Sequence, residues 1–266
     1  MNIIKLTKFQ LRNKRFTLIA WSIGLFLMMF MYMILFPTMK ELGQAKLDAM
    51  PEELLSLFGV TSFNSMGNWI QYFIMMYSIF VLVVSFFAAT FTSSNVYEEE
   101  KTKSIEFLYG LQVSRSEIYF SKLLASFLGI LLLNISMIVS AFICASINGG
   151  SSFILGDFLM IIKGSSFTIY FFMALAMMIA GLTAKFSPGM VSAAIVFILY
   201  MLGYLGTMLE DKGEILNRLS PFATFNGNNI LEMSNTTIIS LVIYLLITVT
   251  FIIIGWLSYR KRDFNI

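Results

Sequence analysis

Six runs of apolar residues, each long enough to cross a bilayer as a helix, set the outline of this chain. About 20 helical residues span the ~30 Å hydrocarbon layer. The runs predict transmembrane helices over roughly 16–36, 69–93, 120–147, 158–183, 188–209 and 237–259. Local residues punctuate them. Pro37 follows the first run and discourages its continuation. Trp69 and Tyr72 suit an interfacial start for the second. Ser187 and Pro188 supply an N-cap and a first-turn proline for the fifth. Trp256 and Tyr259, followed by Arg260, Lys261 and Arg262, suit the end of the sixth. The chain is 58% hydrophobic and 12% charged, where soluble domains are about a quarter charged. No shift in composition marks a second domain. Residues 1–266 therefore read as one all-α integral membrane domain. The first run reads as a span rather than a secretory leader, because it exceeds a typical signal core and no A-x-A-like site follows it.

Lysine and arginine orient the spans. The N-terminal segment, the loop between spans two and three, the turn before span five (Lys185) and the C-terminal tail hold thirteen of the eighteen basic residues. The intervening loops hold only Lys40, Lys46, Lys163, Lys212 and Arg218. The positive-inside rule then places both termini in the cytoplasm, as an even number of spans allows. Lys5, Lys8, Arg12 and Arg15 fall at helical spacing on one face of the N-terminal segment, with Ile4, Leu11 and, less cleanly, Leu6 elsewhere. This is the pattern of an interfacial helix on an anionic leaflet. A plain basic flank that only sets topology accounts for it equally well.

The spans lack the equipment of several function classes. No Asp, Glu, Lys or Arg falls near the middle of a predicted span, and Lys163, the closest, reaches outward from an early turn. That argues against a proton relay or charged ion site, while sodium sites built from carbonyls and hydroxyls stay open. The chain has no histidine, and its one cysteine, Cys144, lies in an apolar run. No nucleotide loop, nucleophile elbow or Cys/His metal spacing is present. Gly203 and Gly206 read as a close helix contact rather than a phosphate cradle. Small polar residues inside the spans suit helix packing first. Among them Asn134, Ser85 and Ser136 are the candidates for a cavity lining, and an amide in hydrocarbon needs a partner.

The loop between spans two and three concentrates the charge that the rest of the chain avoids. Thr102 can cap a short helix over 103–109 that Gly110 ends. Ser114 and Glu117 form an S-x-x-E capping box, with Val113 and Ile118 at the staple positions. A rigid, half-apolar knob results, with Glu98, Glu99 and Glu100 positioned to meet basic groups on a partner. A solvated face that merely caps helix ends fits the residues as well.

The run EEKTKSIEFLYGLQVSRSEIYFSKLLA, Glu99 to Ala125, resembles the cytoplasmic loop of ABC-2-type transporter permeases. Glu106, Leu108, Val113, Ser114, Arg115, Ile118, Lys122, Leu124 and Ala125 match that family's pattern, and Leu219 to Phe222 (LSPF) resembles its outer segment. Lys103-Ser104 and Gln112 depart from it, standing where Gly-Thr and proline are usual. The resemblance implies a permease subunit of an ATP-driven exporter in a bacterial plasma membrane. It would work with two separate ABC ATPase subunits that bind ATP and Mg, and with a second permease, identical or related. The chain itself would bind no cofactor, metal or nucleic acid and carry no catalysis. Coupling to the ATPase would fall to the loop at 98–119, through Glu98, Glu99, Glu100, Glu106, Leu108, Ser114, Arg115 and Glu117. Apolar spans favour hydrophobic or amphipathic cargo: a drug, an antimicrobial peptide or a lipid. An ATPase-independent channel, a membrane-embedded enzyme and a non-transporting sensor or resistance subunit are the competing classes.

Overall fold

The structure, a computed structural model, describes residues 3–46, 68–101, 113–182 and 187–262, with the backbone alone at 42–46, 98–101 and 210–211. Every regular element among these residues is helical. In chain order they are α1 (Ile3–Asn13), α2 (Arg15–Ile34), α3 (Phe36–Lys46), α4 (Trp69–Lys101), α5 (Arg115–Asn148), α6 (Leu155–Leu182), α7 (Pro188–Met208), α8 (Glu214–Leu219), α9 (Pro221–Thr224), α10 (Gly227–Glu232) and α11 (Asn235–Lys261). Helices α2, α4, α5, α6, α7 and α11 are long and apolar enough to cross a membrane, one for each predicted run. Helices α4 and α6 pack on each other at the centre, with α7 against α4, α11 against α6, and α2 against α5. Helix α11 exposes Ile239, Val242, Leu246, Val249 and Ile253 at helical spacing, the stripe expected of a lipid-facing side.

Helix α2 is zipped to α5 by a polar ladder. Ser140 Oγ donates to the Phe26 carbonyl (2.8 Å), Cys144 Sγ to that of Phe30 (3.6 Å) and Asn148 Nδ2 to that of Ile34 (3.2 Å). Donors and acceptors both step by four residues in the same direction, so the two helices run parallel and in register. Helix α1 keeps the same offset, since Thr7 Oγ1 donates to the Ser121 carbonyl (3.3 Å).

Three boundary readings change. Pro37 does not end the helical path. The helix breaks at Leu35, whose N–H turns back to the Met33 carbonyl, and α3 resumes with Pro37 in its first turn. Proline has no N–H to offer Met33, and its fixed φ suits a helix start. Ser187 precedes α7, but its side chain makes no cap hydrogen bond; its carbonyl accepts the Met190 N–H instead (3.1 Å). Trp69 and Tyr72 open α4, but both are buried among other side chains rather than presented outward. Trp69 stacks on Phe73 (5.5 Å between centroids) and Phe73 on Tyr77 (5.0 Å), an i, i+4 ladder that α6 meets with Phe158.

Residues 210–235 fold back into the bundle rather than looping away from it. Ser165 Oγ on α6 donates to the Phe225 carbonyl (2.9 Å), Thr168 Oγ1 to that of Pro221 (3.2 Å), and Tyr244 OH on α11 to that of Arg218 (3.0 Å). The close contact expected of Gly203 and Gly206 is here. A Cβ on Gly203 would lie 2.5 Å from Ser220 Oγ, and one on Gly206 would collide with Asn217 Oδ1. Only glycine lets α8 and α9 lie this close to α7.

Candidate functional site

The end of the bundle that holds the start of α5 concentrates buried polar contacts. Helix α5 begins as its sequence dictates. Ser114 Oγ accepts the Glu117 N–H (3.2 Å), and the Glu117 carboxylate accepts the Ser114 N–H (2.9 Å), completing the capping box. Val113 and Ile118 close the staple within an apolar cluster that includes Val96, Tyr119, Met177, Ala180 and Tyr259. The capped helix passes into the membrane span without a break.

Two turns in, Lys122 is completely buried. Its ammonium donates to the carbonyls of Asn95 (2.7 Å) and Val96 (3.1 Å) near the end of α4. Asn95 Nδ2 donates to Ser126 Oγ, one turn further along α5 (3.2 Å). A buried cation is tolerated only when such dipoles replace its water. Charge and amide together cleat α4 to α5 beside the loop that joins them.

The same turn of α5 is stitched to the chain's C-terminal end. Arg115 donates to the carbonyls of Arg260 (3.1 Å) and Arg262 (2.6 Å), and Arg262 to that of Ala180 at the end of α6 (3.0 Å). Trp256 Nε1 donates to Ser116 Oγ (3.0 Å), and Tyr119 OH to the Ile252 carbonyl (3.1 Å). Gly255 makes room for Tyr119, whose hydroxyl would lie 2.5 Å from a Cβ there. A displacement of this turn therefore bears on α4, α6 and α11 together.

Of the residues the sequence assigns to coupling, Ser114, Arg115 and Glu117 meet at the start of α5. Glu98, Glu99 and Glu100 belong to the last turns of α4, and their side chains lie outside the described residues. Glu106, Leu108 and the short helix expected over 103–109 also lie outside them. Sequence reasoning counted Lys122 as a loop-end cation, read Trp256 only as a residue suited to the end of the sixth span, and passed over Asn95 and Tyr119. The signal for Lys122 was its helical phase: Ile118, Ala125 and Gly129 lie on its face, and that face is the buried one.

On α1, Leu6 and Thr7 pack inward, while Lys5, Lys8 and Arg12 are exposed between the exposed Ile4 and Phe9; Arg15 is exposed at the start of α2. In the core, Asn134 finds the partners its amide requires. Tyr77 OH donates to its Oδ1 (3.0 Å), its Nδ2 donates to Ser166 Oγ (2.8 Å), and Tyr77 and Ser166 share a hydrogen bond (2.9 Å). This buried triangle locks α4, α5 and α6 at mid-span. Ser85 donates to the Val81 carbonyl of its own helix and Ser136 to that of Leu133, so neither joins Asn134. Among the described residues no group of His, Cys, Asp and Glu side chains could hold a metal ion.

A family model described as "Multidrug efflux system permease Rv1217c, C-terminal domain" matches residues 7–260. No match is found among curated proteins.

Proposed function

The chain belongs to this family of multidrug efflux system permeases, and from that premise we propose that it is the membrane subunit of an ATP-driven ABC exporter of the ABC-2 type. Two separate ATPase subunits bind ATP and Mg, and a second permease, identical or related, completes the translocation path. The bundle end with the termini and the α4–α5 loop faces the cytoplasm of a bacterial plasma membrane, where α1 lies along the inner leaflet. The cargo is hydrophobic or amphipathic, in keeping with spans that carry almost no charge.

The observation that carries this reading is the stitched start of α5. The ATPase grips the loop at 98–119. The capping box makes the loop's C-terminal side stiff, the Lys122 cleat joins it to α4, and Arg115 with Arg262 join it to α6 and α11. ATP-driven closure of the ATPase pair then moves several helices as one body. ATP shifts the equilibrium between inward- and outward-open states only through its differential affinity for them. A compliant connector would dissipate that difference before it reached the spans.

The test is charge reversal of Glu98, Glu99 and Glu100 to lysine in the chain co-expressed with its ATPase. Loss of ATPase co-purification with normal membrane insertion is expected. Survival of both co-purification and transport would remove the acidic cluster from the dock.

A further inference from the structure

At the opposite end of the bundle the folded-back segment walls a cavity of about 680 Å3, between the first turn of α4, the end of α7, helices α8 to α10 and the start of α11. Its size suits a drug-sized molecule, which typically occupies about 300–1,000 Å3. Most of its lining residues are polar, with Gln71, Asn228, Ser240 and further amide and hydroxyl side chains beside Ala223 and Leu231, although their carbon atoms leave a substantial apolar part of the wall.

Three features suit this partly open cavity to a ligand. The segment is fixed from behind by the hydrogen bonds of Ser165, Thr168 and Tyr244 to its carbonyls, so the walls are set before any ligand arrives. The side chains of Gln71, Asn228 and Ser240 line the cavity without a hydrogen bond to another described residue, leaving amide and hydroxyl groups for a ligand. The charges are unequal. Arg218 is engaged at 2.6 Å by Glu214, which neutralises that pair and leaves Glu232 as the uncompensated charge of the lining.

We propose that this cavity binds a hydrogen-bond-rich organic cation: an amine directed to Glu232, its hydroxyl or amide groups met by Gln71, Asn228 and Ser240. The site rests on the efflux reading for treating its ligand as cargo, and it names a more polar class than the hydrophobic or amphipathic cargo that the spans suggest. Its location at the end away from the loop makes it a place of release rather than of entry.

The probe is kanamycin, a polyhydroxylated amine, titrated calorimetrically into the full chain in phosphatidylcholine nanodiscs, with empty nanodiscs subtracted. Trehalose serves as the uncharged polyol and tetraphenylphosphonium as the apolar cation. Saturable kanamycin binding, at least about tenfold tighter than that of either comparator, is expected. Glu232→Gln should weaken it by up to about fivefold, the upper end of the loss expected for an exposed charge pair. Gln71→Ala with Asn228→Ala should weaken it further, both variants eluting as monodisperse as the parent. Absence of saturable kanamycin binding overturns the proposal. So does binding that is unchanged in both variants, or tighter binding of tetraphenylphosphonium. The ATPase is absent from the titration, so a failure here leaves the efflux reading to its own co-purification and transport test.

Discussion

Lys122 shows how one side chain can matter more for motion than for stability. It is the only buried Lys, Arg, Asp or Glu among the described residues, and its ammonium binds two α4 carbonyls that already belong to a helix. Replacing a buried charge by an apolar side chain of similar length is often neutral or stabilising. Lys122→Met is therefore expected to insert and melt like the parent, yet to lose most transport while ATPase co-purification persists. Parental transport rates in proteoliposomes would show that the cleat is dispensable. Asn134 is the converse. Asn134→Ala leaves Tyr77 and Ser166 in the core with only each other as partners and should cost about 1 kcal/mol in thermal stability, the scale of interhelical hydrogen bonds in membranes. Ser85→Ala, which removes only a bond within one helix, should cost far less. Residues differ in how much of this a sequence discloses. The Ser114 box was legible because its donor and acceptor lie three positions apart. Trp69 was not, since a tryptophan opening an apolar run looks the same in sequence whether it meets headgroups or Phe73 and Phe158. Lys122 was counted among charges when its helical phase was the informative quantity.

At the scale of elements, the α2–α5 ladder explains how a span with a largely exposed, apolar surface keeps its place. In hydrocarbon, apolar contact alone does not favour one helix neighbour over another, so donors to backbone carbonyls and close packing set the register. Cys144, the chain's one cysteine, is the middle rung and buried, which makes it a built-in reporter. Ser140→Val with Asn148→Leu removes the outer rungs. Maleimide labelling of Cys144 should then accelerate several-fold with the bundle still folded, and unchanged labelling would show that packing alone holds α2. All six spans were legible from run length, because the bilayer imposes it. The continuation past Pro37 was hidden, because proline both ends one helix and begins the next. Helices α8 to α10 were hidden for a different reason. Each is a turn or two long, below the length at which periodicity can be read, and each is held by partners on α6, α7 and α11 that no local pattern announces.

For the whole molecule, internal contacts decide which ends lie together, and charge decides which side they face. Thr7 meets Ser121, and Arg115 meets Arg262, so α1, the start of α5 and the end of α11 share one end of the bundle. The start of α11 and the cavity lie at the other, one membrane thickness away along a helix of 27 residues. Hydrogen bonds cannot say which end is inside; that rests on the basic residues of the shared end, since the insertion machinery retains such segments in the cytoplasm. The two statements separate experimentally. In a Cys144→Ala background, Asn13→Cys and Asn235→Cys place single thiols at opposite ends, both at exposed positions. A membrane-impermeant maleimide should label Asn235→Cys in intact cells and Asn13→Cys only after permeabilisation. The reverse pattern would invert the molecule and set the cavity on the cytoplasmic side, where it would have to admit its ligand rather than release it. Labelling of both thiols in intact cells would instead separate ends that the bundle keeps a membrane apart, and would sink the arrangement of spans itself.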